Sequence, residues 1–203
     1  MSPAMSFAMT LEMTRKTTRK TPRNLKLALG LLTAVTLAPA AAQADLWQGA
    51  PVQRPKQITV GAFGQLYFSP SDFQAFFNGM YGFTNRLQGE LRMGVGTQSF
   101  YFGAFGKSHL VSTDLLSMSV WGGMHAQSVG FLDGSLILSH GFKTWELYFA
   151  PLLSLNLSTG TLGSALVPGF SLFVEKNLKV YVEGVLKLGN YYNAMSVGFR
   201  FFL

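Results

Sequence analysis

From Gln57 to Leu203, apolar and polar positions alternate with a period of two, the spacing that puts successive side chains on opposite faces of a β-strand. Ten segments carry the pattern: 57 to 68, 74 to 84, 87 to 97, 99 to 107, 115 to 126, 134 to 142, 144 to 158, 164 to 175, 178 to 189 and 193 to 203. Each is close to the ~9 to 11 residues that a tilted strand needs to cross a hydrocarbon layer, the seventh being the longest. No run in this region shows sustained helical periodicity. The pattern predicts an all-β, antiparallel, up-and-down sheet of ten strands; eight is the alternative count if 99 to 126 is divided differently. An even count puts the connections Ser69–Phe73, Gln98, Gln127–Asp133, Thr159–Gly163 and Asn190–Tyr192 at one end. Asn85-Arg86, Ser108–Asp114, Lys143 and Lys176-Asn177 lie at the other.

The two faces differ in kind. In the last segment Met195, Val197, Phe199, Phe201 and Leu203 share one face, while Ala194, Ser196, Gly198 and Arg200 share the other. Leu87, Leu91, Met93 and Val95 repeat this in the third segment, as do Val180, Val182, Leu186 and Leu188 in the ninth. In opposite phase stand Glu90, Arg92, Glu146, Glu175, Lys179, Glu183, Lys187 and Arg200, four acidic and four basic. Such a set neutralises itself inside an enclosed lumen, with the apolar face toward lipid. A soluble β-sandwich, its apolar faces buried against each other, is the fold alternative, because a half-buried sheet has the same period. Aromatic residues favour the membrane. Phe68, Phe73, Phe76, Phe77, Tyr191 and Tyr192 fall near one boundary, and Phe142, Trp145 and Phe202 near the other, as interfacial girdles would.

The first 44 residues read as an export signal. Arg15, Lys16, Arg19, Lys20, Arg23 and Lys26 form a basic region, Leu27–Leu37 an apolar one, and Ala42-Gln43-Ala44 a small-residue cleavage site. The apolar run is short of the roughly 20 residues a spanning helix needs. Met13 is an alternative start. Residues 45 to 56, with Pro51 and Pro55, form an extended leader on the side of the chain ends. Removing the signal changes the charge: the whole chain is +7, but residues 45 to 203 keep ten basic and eight acidic residues, a net +2. A nucleic-acid partner thereby loses its support. The chain has no cysteine, which excludes disulfides, cysteinyl metal sites and a lipidated cysteine.

Together these segments, from Gln57 to Leu203 with the preceding signal, resemble the small outer-membrane β-barrel proteins of bacteria. The resemblance implies a cell outer-membrane location and partners in outer-membrane lipid and the barrel-assembly machinery. That machinery would read Met195, Val197, Phe199, Phe201 and Leu203 as the insertion signal. Leu203 stands where the family usually ends in an aromatic residue, and Phe202 has the opposite parity. The turn within residues 81 to 91 looks like a periplasmic hairpin of such proteins.

The search for chemistry returns little. His109, His125 and His140 are spread over the sheet; only His125, with Ser119 and Ser128, could begin a Ser/His site. Gly61-Ala62-Phe63-Gly64 and Gly94-Val95-Gly96 lack the Lys-Ser/Thr of a phosphate loop. Asp72 and Asp133, placed in loops, would share a cation only if those loops met. Phe63, Tyr67, Tyr101, Phe105, Trp121, Tyr148 and Tyr181 have inward parity and would fill a narrow bore. The expectation is a non-enzymatic barrel, without cofactor or metal, whose filled, charge-paired lumen suits a structural or interaction role. A narrow passive channel for small solutes or apolar molecules is the alternative, and a barrel-embedded lipid hydrolase the third reading.

Overall fold

A peptide group facing hydrocarbon finds no water, so its N–H and C=O must be satisfied by the chain itself. Ten antiparallel strands meet that demand here by closing on themselves. The computed structural model describes residues 49–68, 71–97 and 99–203. The expected signal peptide (1–44), the start Met13 and the first residues of the leader lie outside the described residues, as do Ser69, Pro70 and Gln98.

The strands are β1 (Ile58–Phe68), β2 (Ser71–Gly82), β3 (Leu87–Gly96), β4 (Tyr101–Ser112), β5 (Ser117–Gln127), β6 (Val129–Gly141), β7 (Trp145–Asn156), β8 (Leu162–Glu175), β9 (Leu178–Lys187) and β10 (Ala194–Phe202). Each pairs with its sequence neighbours, and β1 pairs with β10 from Thr59↔Phe202 to Tyr67↔Ala194. The ten-strand count holds over the eight-strand alternative because β4 and β5 are separated by a tight turn. There Thr113 N–H donates to Leu116 O (2.8 Å) and Leu116 N–H to Thr113 Oγ1 (3.0 Å). The hairpin within 81 to 91 turns similarly, with Leu87 N–H donating to Thr84 Oγ1 (3.0 Å).

Several boundaries differ from the sequence expectation. The longest strand is β8, of 14 residues, and not the seventh. The largest change is Gln127–Asp133, which is no loop: Gln127 pairs with Val129, leaving Ser128 alone at the tip with φ 62°. Gly130 and Gly134 hide the alternation there by leaving two positions without a side chain. Phe131 and Asp133 nevertheless face inward, and Leu132 outward.

Side-chain direction follows parity around the ring. Leu91, Met93, Met124, Phe149, Leu153, Val182 and Phe199 are exposed on the outside, and Met195, Val197 and Phe201 belong to the same belt. All seven aromatics expected inside are buried. Four others were misplaced by position along the chain. Phe76 is inward, 1% exposed and stacked on Phe63 at 4.5 Å. Tyr191 and Tyr192 are folded into the mouth, and Phe202 lines the opposite mouth beside Phe173 (5.7 Å). The exposed girdle consists of Phe68, Phe73 and Phe100 at one rim and Tyr81, Phe83 and Phe142 at the other. Rings inside need gaps in the wall, and glycines supply them. A Cβ on Gly94 would lie 2.6 Å from Phe76 Cδ1, and one on Gly198 2.5 Å from Phe63 Cβ.

An apolar outside makes a depth-dependent prediction. Leu91→Arg, at the middle of β3, should lower the unfolding free energy in lipid vesicles by about 2–4 kcal/mol, and Leu87→Arg at its rim by about 0–1 kcal/mol. Equal effects in urea titrations would contradict a lipid-facing belt.

Candidate functional site

The lumen is the one enclosed polar environment that the described residues build, and it is organised in three levels. The near end carries the leader and the C-terminus; the far end carries the β1–β2, β3–β4, β5–β6, β7–β8 and β9–β10 connections.

At mid-height, Arg92 on β3 and Arg200 on β10 flank Glu90. Both Arg92 Nη2 (2.9 Å) and Nε (3.2 Å) donate to Glu90 Oε1, Asn78 Nδ2 donates to the same oxygen at 2.6 Å, and Arg200 Nη2 lies 3.9 Å from it. The Arg92 guanidinium also sits over the Phe105 ring (4.8 Å) and the Phe63 ring (5.7 Å). Arg92 is 1% exposed, so this carboxylate is the counter-charge its burial requires. Around the wall, Tyr148 OH donates to Glu183, and toward the near end Lys179 Nζ bonds Glu146 Oε2 at 2.7 Å. Phe105 stacks on Trp121 at 4.5 Å, and both rings are buried inside the barrel.

At the far level, Tyr67 OH donates to Gln65 Oε1 (3.0 Å), and its ring meets Tyr192 edge-on at 4.8 Å. Tyr192 stacks on Tyr191 at 4.7 Å, so the β9–β10 connection lays two rings into the mouth. Opposite them, His125 Nδ1 lies 2.6 Å from Asp133 Oδ2, with Tyr101 (4.9 Å) and Phe131 (4.7 Å) stacked on its two sides.

The near level holds the leader, which enters the barrel instead of lying beside it. Lys107 Nζ donates to Gly49 O (3.2 Å) and Pro51 O (3.0 Å), and Ser119 Oγ donates to Ala50 O. Ala50 N–H donates to Ser139 Oγ (3.0 Å), and Gln53 N–H to Gln88 Oε1 (3.1 Å). Below it a vestibule of about 610 Å³ opens outward, lined by Arg54, Lys107, Glu146, Lys179 and Arg200 among others.

Of the eight charges expected inside, Glu90, Arg92, Glu146, Lys179, Glu183 and Arg200 are buried there. Glu175 and Lys187 are exposed at the ends of β8 and β9. Parity sets a side chain's direction, but only its height on the barrel decides whether it is enclosed. Met195, Val197, Phe199 and Phe201 face outward on β10, and Leu203 follows the strand, 73% exposed.

Three features escaped the sequence reading. Lys107 shares the inward parity of Tyr101 and Phe105, a signal that was present. Asp133 reaches His125 only because the hairpin turns on a single residue, which nothing but the register shows. The leader's entry has no signature in hydropathy.

The Ser/His set that the sequence could have offered is not assembled. Ser128 Oγ donates to Ser99 Oγ (3.4 Å), Ser119 serves the leader, and His125 Nε2 meets no hydrogen-bonding partner among the described residues. His109, expected in a turn, sits near the end of β4 with Nδ1 3.3 Å from Ser119 Oγ, and His140 Nδ1 faces Leu115 O. Asp72 lies on β2 and Asp133 inside the lumen, so no loop pair holds a cation; no group of three or more His, Asp or Glu suited to a metal occurs among the described residues.

A closed antiparallel ring with an apolar exterior and a charge-bearing interior defines a transmembrane β-barrel of the outer-membrane type. No family model matches the chain, and no curated protein matches it. The fold is similar to that of an outer-membrane channel from Pseudomonas putida, at TM-score 0.52 and 6% identity over 79% of this chain and 100% of that one. The N-terminal β-barrel domain of Pseudomonas aeruginosa OprF matches at TM-score 0.39, with 14% identity over 74% of this chain and all of that one. The KdgM porin matches at TM-score 0.42, with 15% identity over 71% and 98%.

Removing one partner of the buried cluster should expose its energetics. Arg92→Met leaves the Glu90 carboxylate without its main counter-charge and should cost about 3–5 kcal/mol, whereas adding Glu90→Gln should recover most of that loss. Urea unfolding of both variants checks it, and equal stability of the single variant and the parent would break the cluster's role.

Proposed function

We propose that the protein is a closed-lumen barrel of the outer membrane with a structural or interaction role, and that it neither forms a pore nor catalyses a reaction. One observation carries the reading: the inward side chains of the middle of the barrel, Arg92, Glu90 and Arg200 together with Phe105, Trp121 and Tyr148, are all buried. A ten-stranded barrel is close to the size whose interior side chains can fill. Opening the bore here would separate a buried ion cluster, at a cost of several kcal/mol. The near end then faces the periplasm, outer-membrane lipid is the partner of the apolar belt, and the barrel-assembly machinery inserts the chain.

A second reading has its own observation. The near vestibule of about 610 Å³ is open and polar and reaches Arg200, as the inner half of a narrow channel would. The P. putida protein of similar fold is a channel. The two readings part at the buried middle of the barrel, which the channel would have to open.

Planar bilayer recordings of the purified barrel separate them. The expected trace is silent, with no discrete conductance steps, in protein whose heat-dependent gel mobility shows it folded. Ohmic steps from such protein would overturn the closed-lumen reading in favour of the channel.

A further inference from the structure

The segment Gly49–Gln53 is held inside the lumen almost wholly by its backbone. Two carbonyls converge on the Lys107 ammonium, a third accepts from Ser119, and two N–H groups donate to Ser139 and Gln88. These four residues stand on β4, β5, β6 and β3, so one short extended segment is gripped from four consecutive strands.

At its start the segment's side chains are small, and at its end the buried Gln53 side chain donates from Nε2 to Met80 Sδ (3.7 Å). Ala50 is 0% exposed, and Gly49, at φ +44°, lies so close to Glu146 that any side chain there would collide with the carboxylate. Backbone bonds supply affinity and the close fit at these two positions sets register, the division of labour by which extended peptides are recognised at strand edges. Beyond Gln53 the chain turns at Lys56, with φ 65°, whose N–H donates to Gly82 O (2.8 Å), and it then enters β1.

We propose that the near half of the lumen is a binding site for an extended peptide backbone, and that Gly49–Gln53 is its tethered ligand, a plug that can leave without any strand unpairing. The site takes a short peptide with a small residue at the Ala50 position. None of the five hydrogen bonds that hold the plug involves Arg92, Glu90 or Arg200, so displacement enlarges the vestibule without unpairing that cluster.

The absence of native cysteine allows a direct test. Ser139→Cys places a single thiol beneath Ala50, giving up one of the five bonds on the segment and leaving those from Lys107, Ser119 and Gln88, and its reaction with a membrane-impermeant thiol reagent is timed in detergent-folded full-length barrel. Ala50→Trp, outside every strand, prevents seating and should speed the reaction roughly tenfold or more, because protection reports the closed population. Added in trans, the hexapeptide Gly-Ala-Pro-Val-Gln-Arg should slow it again, and the same peptide with Trp in place of Ala should not. Lys107→Met provides a second way to release the segment, with heat-dependent mobility confirming the fold in each variant. Equal rates with native and Ala50→Trp leaders would overturn the plug. Fast labelling that millimolar hexapeptide leaves unchanged would overturn the binding site. Neither result bears on bilayer conductance, so the closed-lumen reading stands or falls separately.

Discussion

Every other feature of this barrel depends on one pairing, the antiparallel seam between β1 and β10. Without it both strands would present unsatisfied backbone groups to hydrocarbon, at several kcal/mol per group. The seam is also the least local contact in the fold, joining Thr59 to Phe202 across almost the whole described chain. It cannot form until β10 has been made. Closure encloses the inward face of all ten strands, and enclosure is what turns scattered charges on β3, β7, β9 and β10 into buried pairs.

Closure also explains the unusual interior. Arg92 is 1% exposed, so it must find a counter-charge and ring faces within reach. The wall answers with alternating bulk and absence: Phe63 against Gly198, Phe76 against Gly94. The same residues therefore serve strand geometry and core packing. The barrel packs its polar and charged face inside, unlike a soluble sheet, which buries its apolar face.

The sequence made strand number, parity and the inward aromatics legible, because a period of two survives wherever side chains exist to mark it. It failed where glycine erased the mark, as at Gly130 and Gly134, and an inward Asp133 then passed for a loop residue. Height was the other hidden coordinate. Glu175 and Lys187 have lumenal parity yet stand at rims, and Tyr191 and Tyr192 lie in a connection yet turn inward. Contacts made by chain without periodicity, above all the leader on Lys107, depend on tertiary distances that no local pattern encodes.

The far connections are two, four, one, five and six residues long, and two of the rings in the longest turn into the mouth. With so little chain beyond the strand ends, and the rings of the longest connection spent on the lumen, the far rim has few segments left over from which a separate binding surface could be built.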